Sequence, residues 1–155
     1  MKKGERLYNV ILPVWMLWIF PAAWPVILGG NLLIDGLVLL GALTALHLAD
    51  RGRLMKRLLW RVYLLGFAAD AAGAALLWCA LFLFPEEAVY PFAAGGINPF
   101  GFFVTLLGVG LSGVCIYFFD RAALKKAEAL TADQRRKIAL IMAVVTAPWT
   151  FFLYI

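Results

Sequence analysis

All fourteen Lys and Arg residues of the chain fall into three clusters, and the long apolar stretches between the clusters carry none. The clusters are an N-terminal tip (Lys2, Lys3, Arg6), a first loop (Arg51, Arg53, Lys56, Arg57, Arg61) and a second loop (Arg121, Lys125, Lys126, Arg135, Arg136, Lys137). Basic residues are retained on the side from which a membrane protein is inserted, so the pattern predicts all three clusters in the cytoplasm. The other connections, Gly29-Gly30-Asn31 and residues 84–99, carry only Glu86 and Glu87 as charges and are predicted outside. Five transmembrane helices follow, with the N-terminus cytoplasmic and the C-terminus outside.

A helix needs about 20 apolar residues to cross a hydrocarbon core of roughly 30 Å. The segments that meet this are about 7–28, 31–49, 62–84, 99–119 and 138–155. With 65% apolar residues in a chain of 155, the expectation is an all-α integral membrane protein forming one transmembrane domain over 1–155. A net charge of +5 would suggest nucleic acid in a soluble protein. Here the segregation of charge accounts for it, so the expected partners are the bilayer and anionic headgroups at the cytoplasmic basic loops, with no nucleic acid. The setting read from this is a cell membrane, that of a bacterial plasma membrane. A homo-oligomer or a membrane partner subunit fits the same features. The first span lacks a small-x-small cleavage site and is expected to be retained.

Cys79 and Cys115 fall about 15 Å apart in depth when counted along their helices. A disulfide needs Cα atoms within about 7 Å, so none is expected. One histidine and no Cys-x-x-Cys leave no metal site, and no cofactor is implied. His47, beside Asp50 and Arg51, reads as an interfacial residue without a ligand.

Residues 120–137 read as a cytoplasmic helical hairpin with a basic tip. Thr131-Ala-Asp-Gln134 has capping-box spacing, in which the Thr hydroxyl accepts from the amide three residues on and Gln134 reaches back. In the fourth span, Gly101, Thr105, Gly108, Ser112 and Cys115 recur at helical intervals and form a stripe of small or weakly polar side chains. Such stripes let helix backbones approach closely in lipid. The third span answers with Gly66, Asp70, Gly73 and Ala74, and the fifth with Ala139, Ala143, Thr146 and Thr150. These three faces are expected to pack together.

Two carboxylates, Asp35 and Asp70, fall within the spans. An ionisable group in hydrocarbon costs about 2.5–3.5 kcal/mol even on the lenient insertion scale, so each should face protein or water. Counting rise per residue puts Asp70 about 13 Å above Arg61, near the midplane and level with Ser112 and Thr146. Asp35 falls about 7–8 Å below Gly30, level with Thr105 and Thr150. The candidate polar site is therefore Asp35, Asp70, Thr105, Ser112, Thr146 and Thr150. Pro13, Pro21 and Pro25 interrupt the first span, and Pro21-Ala-Ala-Trp24-Pro25 is predicted to break its helix. Broken helices at membrane depth often line binding sites. Pro148 is expected to free the Val144 carbonyl in the fifth span in the same way.

Three function classes follow. The leading one is a non-catalytic accessory, assembly or regulatory protein, in which protonated acids bond Ser112 or Thr146. The alternative is a transporter or channel subunit that handles an ion, proton or small solute at Asp35 and Asp70. The remote one is an intramembrane enzyme. A shared-proton aspartate pair needs close approach, whereas the depth count separates Asp35 from Asp70 by about 9–10 Å. Phe67-Ala-Ala-Asp70 lacks the asparagine of the Phe-Asn-x-Ala-Asp motif of lipoprotein signal peptidases, and its spacing is one residue short. No catalytic residue is assigned.

Overall fold

A computed structural model describes residues 24–48, 50–93 and 96–153 of the chain. The N-terminal basic cluster, most of the expected first span with Pro13 and Pro21, and residues 154–155 lie outside the described residues. The fold is helical, as expected, with five α-helices and one two-stranded ribbon among the described residues. They are α1 (Trp24–Ala45), α2 (Arg51–Leu83), α3 (Glu86–Val89), β1 (Phe92–Ala93), β2 (Gly96–Ile97), α4 (Pro99–Leu124) and α5 (Ala132–Val145), and a 3-10 turn follows over Trp149–Leu153.

Three of these helices are long and apolar enough to cross a membrane: Pro25–Ala45, Arg51–Leu83 and Pro99–Leu124. Their outward faces are apolar too, with Phe82 86% and Leu83 75% exposed and Leu33, Leu64 and Phe118 mostly exposed. A contiguous surface of this kind is stable against hydrocarbon and unfavourable against water.

Helix α1 differs from the sequence expectation. It runs without interruption through Gly29-Gly30-Asn31, where a loop between two spans was predicted. Glycine costs a helix only about 1 kcal/mol and is common in membrane helices, so two in succession do not force a turn. Trp24 and Pro25 are the first described residues of this helix. Both belong to the expected break and are helical, and residues 21–23 lie outside the described residues. At the other end His47 adopts φ 51°. Its amide donates to the Thr44 carbonyl at 3.0 Å and that of Leu48 to Leu43 at 3.3 Å, which closes the helix. The 6→1 bond and left-handed residue are those of a Schellman cap.

Helix α4 is central. It packs broadly on α2 and on α5, and α1 packs on α2 and α5 in turn. The α2–α4 crossing is tight at Gly73, where an added Cβ would overlap Ser112 Oγ and stand 2.6 Å from the Gly108 carbonyl oxygen. Gly101 serves the N-terminal end of α4, since a Cβ there would run into the Tyr90 carbonyl and lie 2.7 Å from that of Val89. The α4–α5 contact uses a different residue, Gly113, 3.4 Å from the Ala143 carbonyl by the same measure. Two apolar clusters fill the interior, one built on Leu39, Leu58, Ile116, Leu124 and Ile138, the other on Leu77, Val109 and Phe151.

The connections are anchored. Asn98 caps α4 by accepting from the Phe100 amide at 3.2 Å, while its own amide donates to the carbonyls of Glu87 (3.2 Å) and Ala88 (2.8 Å). The second basic loop is more compact than the predicted hairpin. Helix α4 ends at Leu124, and Leu124, Ala127 and Leu130 are buried in the core, because a turn carrying three apolar side chains lies down on the bundle instead of projecting from it. The capping box forms: the Gln134 amide donates to Thr131 Oγ1 at 3.2 Å and the Thr131 amide to Gln134 Oε1 at 2.9 Å. Cys79 and Cys115 are both free.

Candidate functional site

The fifth apolar segment does not form one helix. Helix α5 covers Ala132–Val145 and stops at Thr146-Ala147-Pro148, after which the chain winds into the 3-10 turn. Proline is the cause, since residue 148 has no amide to offer the Val144 carbonyl four residues earlier. That carbonyl accepts instead from the indole Nε1 of Trp149 at 3.0 Å. The Thr146 hydroxyl donates to the Met142 carbonyl at 2.8 Å. The break leaves α5 with 14 residues, about 21 Å of helix.

The broken end of α5 forms one wall of a cavity of about 220 Å³. Asn31, Ile34 and Asp35 of α1 and Gly66, Phe67 and Asp70 of α2 line the other walls, with Thr146, Pro148, Trp149, Thr150 and Phe151 completing the first. Asp35, Asp70, Thr146 and Thr150 therefore meet around one space. Asp35 approaches α2 closely, its Oδ2 lying 3.6 Å from where a Cβ on Gly66 would stand. This puts Asp35 about one helical turn from Asp70 along α2, and nearer the basic loop. The depth count placed it nearer the outer face because it took Gly30 as the helix end, whereas α1 extends further.

Asp35 is 9% exposed and has no hydrogen-bond partner among the described residues. Asp70 Oδ1 is likewise unpartnered and buried. No basic side chain among the described residues lines the cavity. Buried acceptors without donors are rare in folded proteins and call for a proton, a water or a ligand.

Thr105 and Ser112 lie elsewhere. Ser112 is fully buried at the α2–α4 crossing, its Oγ without a partner, and Thr105 is buried beneath Tyr90 and Pro91 beside Leu77 and Phe151. Of the glycines singled out for packing, Gly73, Gly101 and Gly108 sit at helix or loop contacts and Gly66 sits against Asp35. Pro21 lies outside the described residues, and Trp24 and Pro25 are helical within α1.

Sequence reasoning passed over Asp120. It is 1% exposed inside α4, and neither of its carboxyl oxygens has a hydrogen-bond partner among the described residues. Its neighbour Arg121 made the pair read as a cytoplasmic end. The available signal was the stripe itself, because Ser112, Ile116 and Asp120 follow at intervals of four. Among the described residues no group of three or more His, Cys, Asp or Glu could hold a metal ion.

Comparison with known proteins returns no match: no protein family, no curated protein and no solved structure is significantly similar to this chain.

Proposed function

We propose that this is a multi-pass protein of a bacterial plasma membrane that handles a small cation or proton in the cavity between α1, α2 and the broken end of α5. The observation that carries the reading is the pair Asp35 and Asp70, which face one cavity of about 220 Å³ with no basic residue among the described residues of its walls. Two acids at membrane depth are costly unless something offsets their charge, and intramembrane acids facing a cavity commonly mark ion or proton sites. The neighbouring helix break belongs to the same pattern, since irregular backbone at this depth is tolerated where it lines a cavity.

An accessory or assembly role, with the acids as hydrogen-bonding glue, calls for Asp70 to bond Ser112 or Thr146. Among the described residues Ser112 Oγ and Asp70 Oδ1 have no hydrogen-bond partner, and the Thr146 hydroxyl bonds to the Met142 carbonyl and not to Asp70. These contacts favour the cation reading. The segregated basic clusters support an orientation with residues 51–61 and 121–137 in the cytoplasm.

Complementation of a deletion phenotype tests the reading. Asp70→Asn removes ionisation while keeping the shape of the side chain, so at matched membrane abundance and melting temperature it should fail to complement. A stable Asp70→Asn protein that complements fully would return the function to the accessory class.

A further inference from the structure

The cavity walls bear on the kind of cation, an inference that rests on the cation reading of the same site. We propose that the cavity takes a small organic ammonium ion, a primary or methylated amine, held by Asp35 and Asp70 and by the aromatic walls formed by Phe67, Trp149 and Phe151.

Size argues first. A bare metal ion is held by oxygens at roughly 2.0–2.6 Å and needs a cage that closes on it. The space here is about 220 Å³. At about 30 Å³ per water it would hold on the order of seven waters, too open for a dehydrated ion. It is also smaller than the roughly 300–1,000 Å³ typical of pockets for drug-sized molecules. An amine of a few carbons lies between these limits. A proton requires no such space.

Wall chemistry argues second. Phe67, Trp149, Phe151 and Ile34 supply no metal ligand from their side chains, whereas aromatic rings attract onium ions through their quadrupole and accept the alkyl groups. The rings are also held in place. Phe67 meets Tyr63 edge to face with centroids 4.9 Å apart, Trp149 is tied by its indole to Val144, and Phe151 is 2% exposed. Charge argues third. Asp35 is nine-tenths buried, lines the cavity and has no hydrogen-bond partner among the described residues, so a neutral solute without donors would leave it uncompensated.

The test uses the full chain in lipid nanodiscs, with thermal unfolding followed during titration with tetramethylammonium or methylammonium chloride. Sodium chloride at equal ionic strength and tert-butanol are the comparisons. The organic cations should raise the melting temperature saturably, by about 3 °C or more at a large excess over Kd, and the comparisons should not. Asp35→Asn and Asp70→Asn should abolish the rise, and Phe67→Leu should weaken binding by about threefold to thirtyfold with the charges intact. A rise with sodium equal to that with the organic cations, and lost in the Asp variants, would overturn the organic-ammonium assignment while leaving the cation reading standing. Absence of any cation effect would overturn both. A rise that persists in the Asp35→Asn/Asp70→Asn double variant places binding elsewhere and also overturns the proposal. Where the Asp variants do not fold, an unchanged affinity in Phe67→Leu does so alone.

Discussion

The indole Nε1 of Trp149 donates to the carbonyl of Val144 at 3.0 Å, filling the place of the amide that Pro148 lacks. One side chain thus repairs the break that the preceding residue makes, and the repaired break forms a cavity wall. Trp149→Phe keeps the ring but leaves the carbonyl without a donor, which should lower stability by about 1–3 kcal/mol. Adding Pro148→Ala restores a backbone amide at that position. The double variant should therefore recover part of the loss, read as a positive coupling in a thermodynamic cycle. Additive effects would show that the indole bond does not substitute for the helical one.

Gly73 and Gly110 offer a comparison of two glycines within contacting helices. A Cβ at Gly73 would overlap Ser112 Oγ and crowd the Gly108 backbone, whereas one at Gly110 meets nothing within 4 Å. Gly73→Ala should cost about 1–3 kcal/mol by forcing α2 from α4. Gly110→Ala should be neutral or stabilise by up to about 1 kcal/mol through helix propensity. Melting temperatures of the two variants in the same detergent decide it, and equal losses would remove the close approach as the reason for Gly73.

Local chemistry was legible in the sequence, and register was not. Thr131 and Gln134 revealed their capping box because both partners lie within one turn, and Pro148 revealed its freed carbonyl because proline acts on a fixed neighbour. Helix limits lacked such a marker. Gly29-Gly30 has the composition of a turn, but a lipid-exposed helix accepts it at small cost, and taking it as a helix end shifted the depth count of Asp35. The meeting of Asp35 and Asp70 with Thr146 and Thr150 at one cavity depends on that offset and on which helices are neighbours. Asp120 was hidden by a similar ambiguity, since an acid followed by Arg121 reads as a solvated terminus until packing shows which way it faces.

Asn98 joins α3 to α4 with three hydrogen bonds, accepting one from Phe100 and donating to Glu87 and Ala88. Asn98→Ala removes the cap and both donations. A cap contributes about 0.5–2 kcal/mol and each further bond about 0.5–1.5 kcal/mol, so the total loss should be about 1.5–5 kcal/mol. Asn98→Asp keeps the cap acceptor and removes the donors, and should fall between the wild type and Asn98→Ala. Denaturant unfolding of the three proteins gives the order. If Asn98→Asp loses as much as Asn98→Ala, the capping bond contributes nothing.

The cap of α1 yields a substitution in the opposite sense, to glycine, that is expected to stabilise through the backbone. His47 sits at φ 51° with its side chain exposed, and no side-chain contact compensates for the left-handed conformation among the described residues. An L-residue pays about 1–2 kcal/mol there, whereas glycine does not, and the Schellman bonds from residues 47 and 48 use only backbone amides. His47→Gly should therefore raise stability, offset in part by the greater freedom of glycine in the unfolded chain. The net gain should be of the order of 0.5–1 kcal/mol, or a few degrees in melting temperature. His47→Ala keeps the strained φ without the imidazole and isolates the backbone contribution. A rise with His47→Gly and none with His47→Ala is the expected pair. Equal melting temperatures for the two would mean that the imidazole, not the left-handed turn, governs this position.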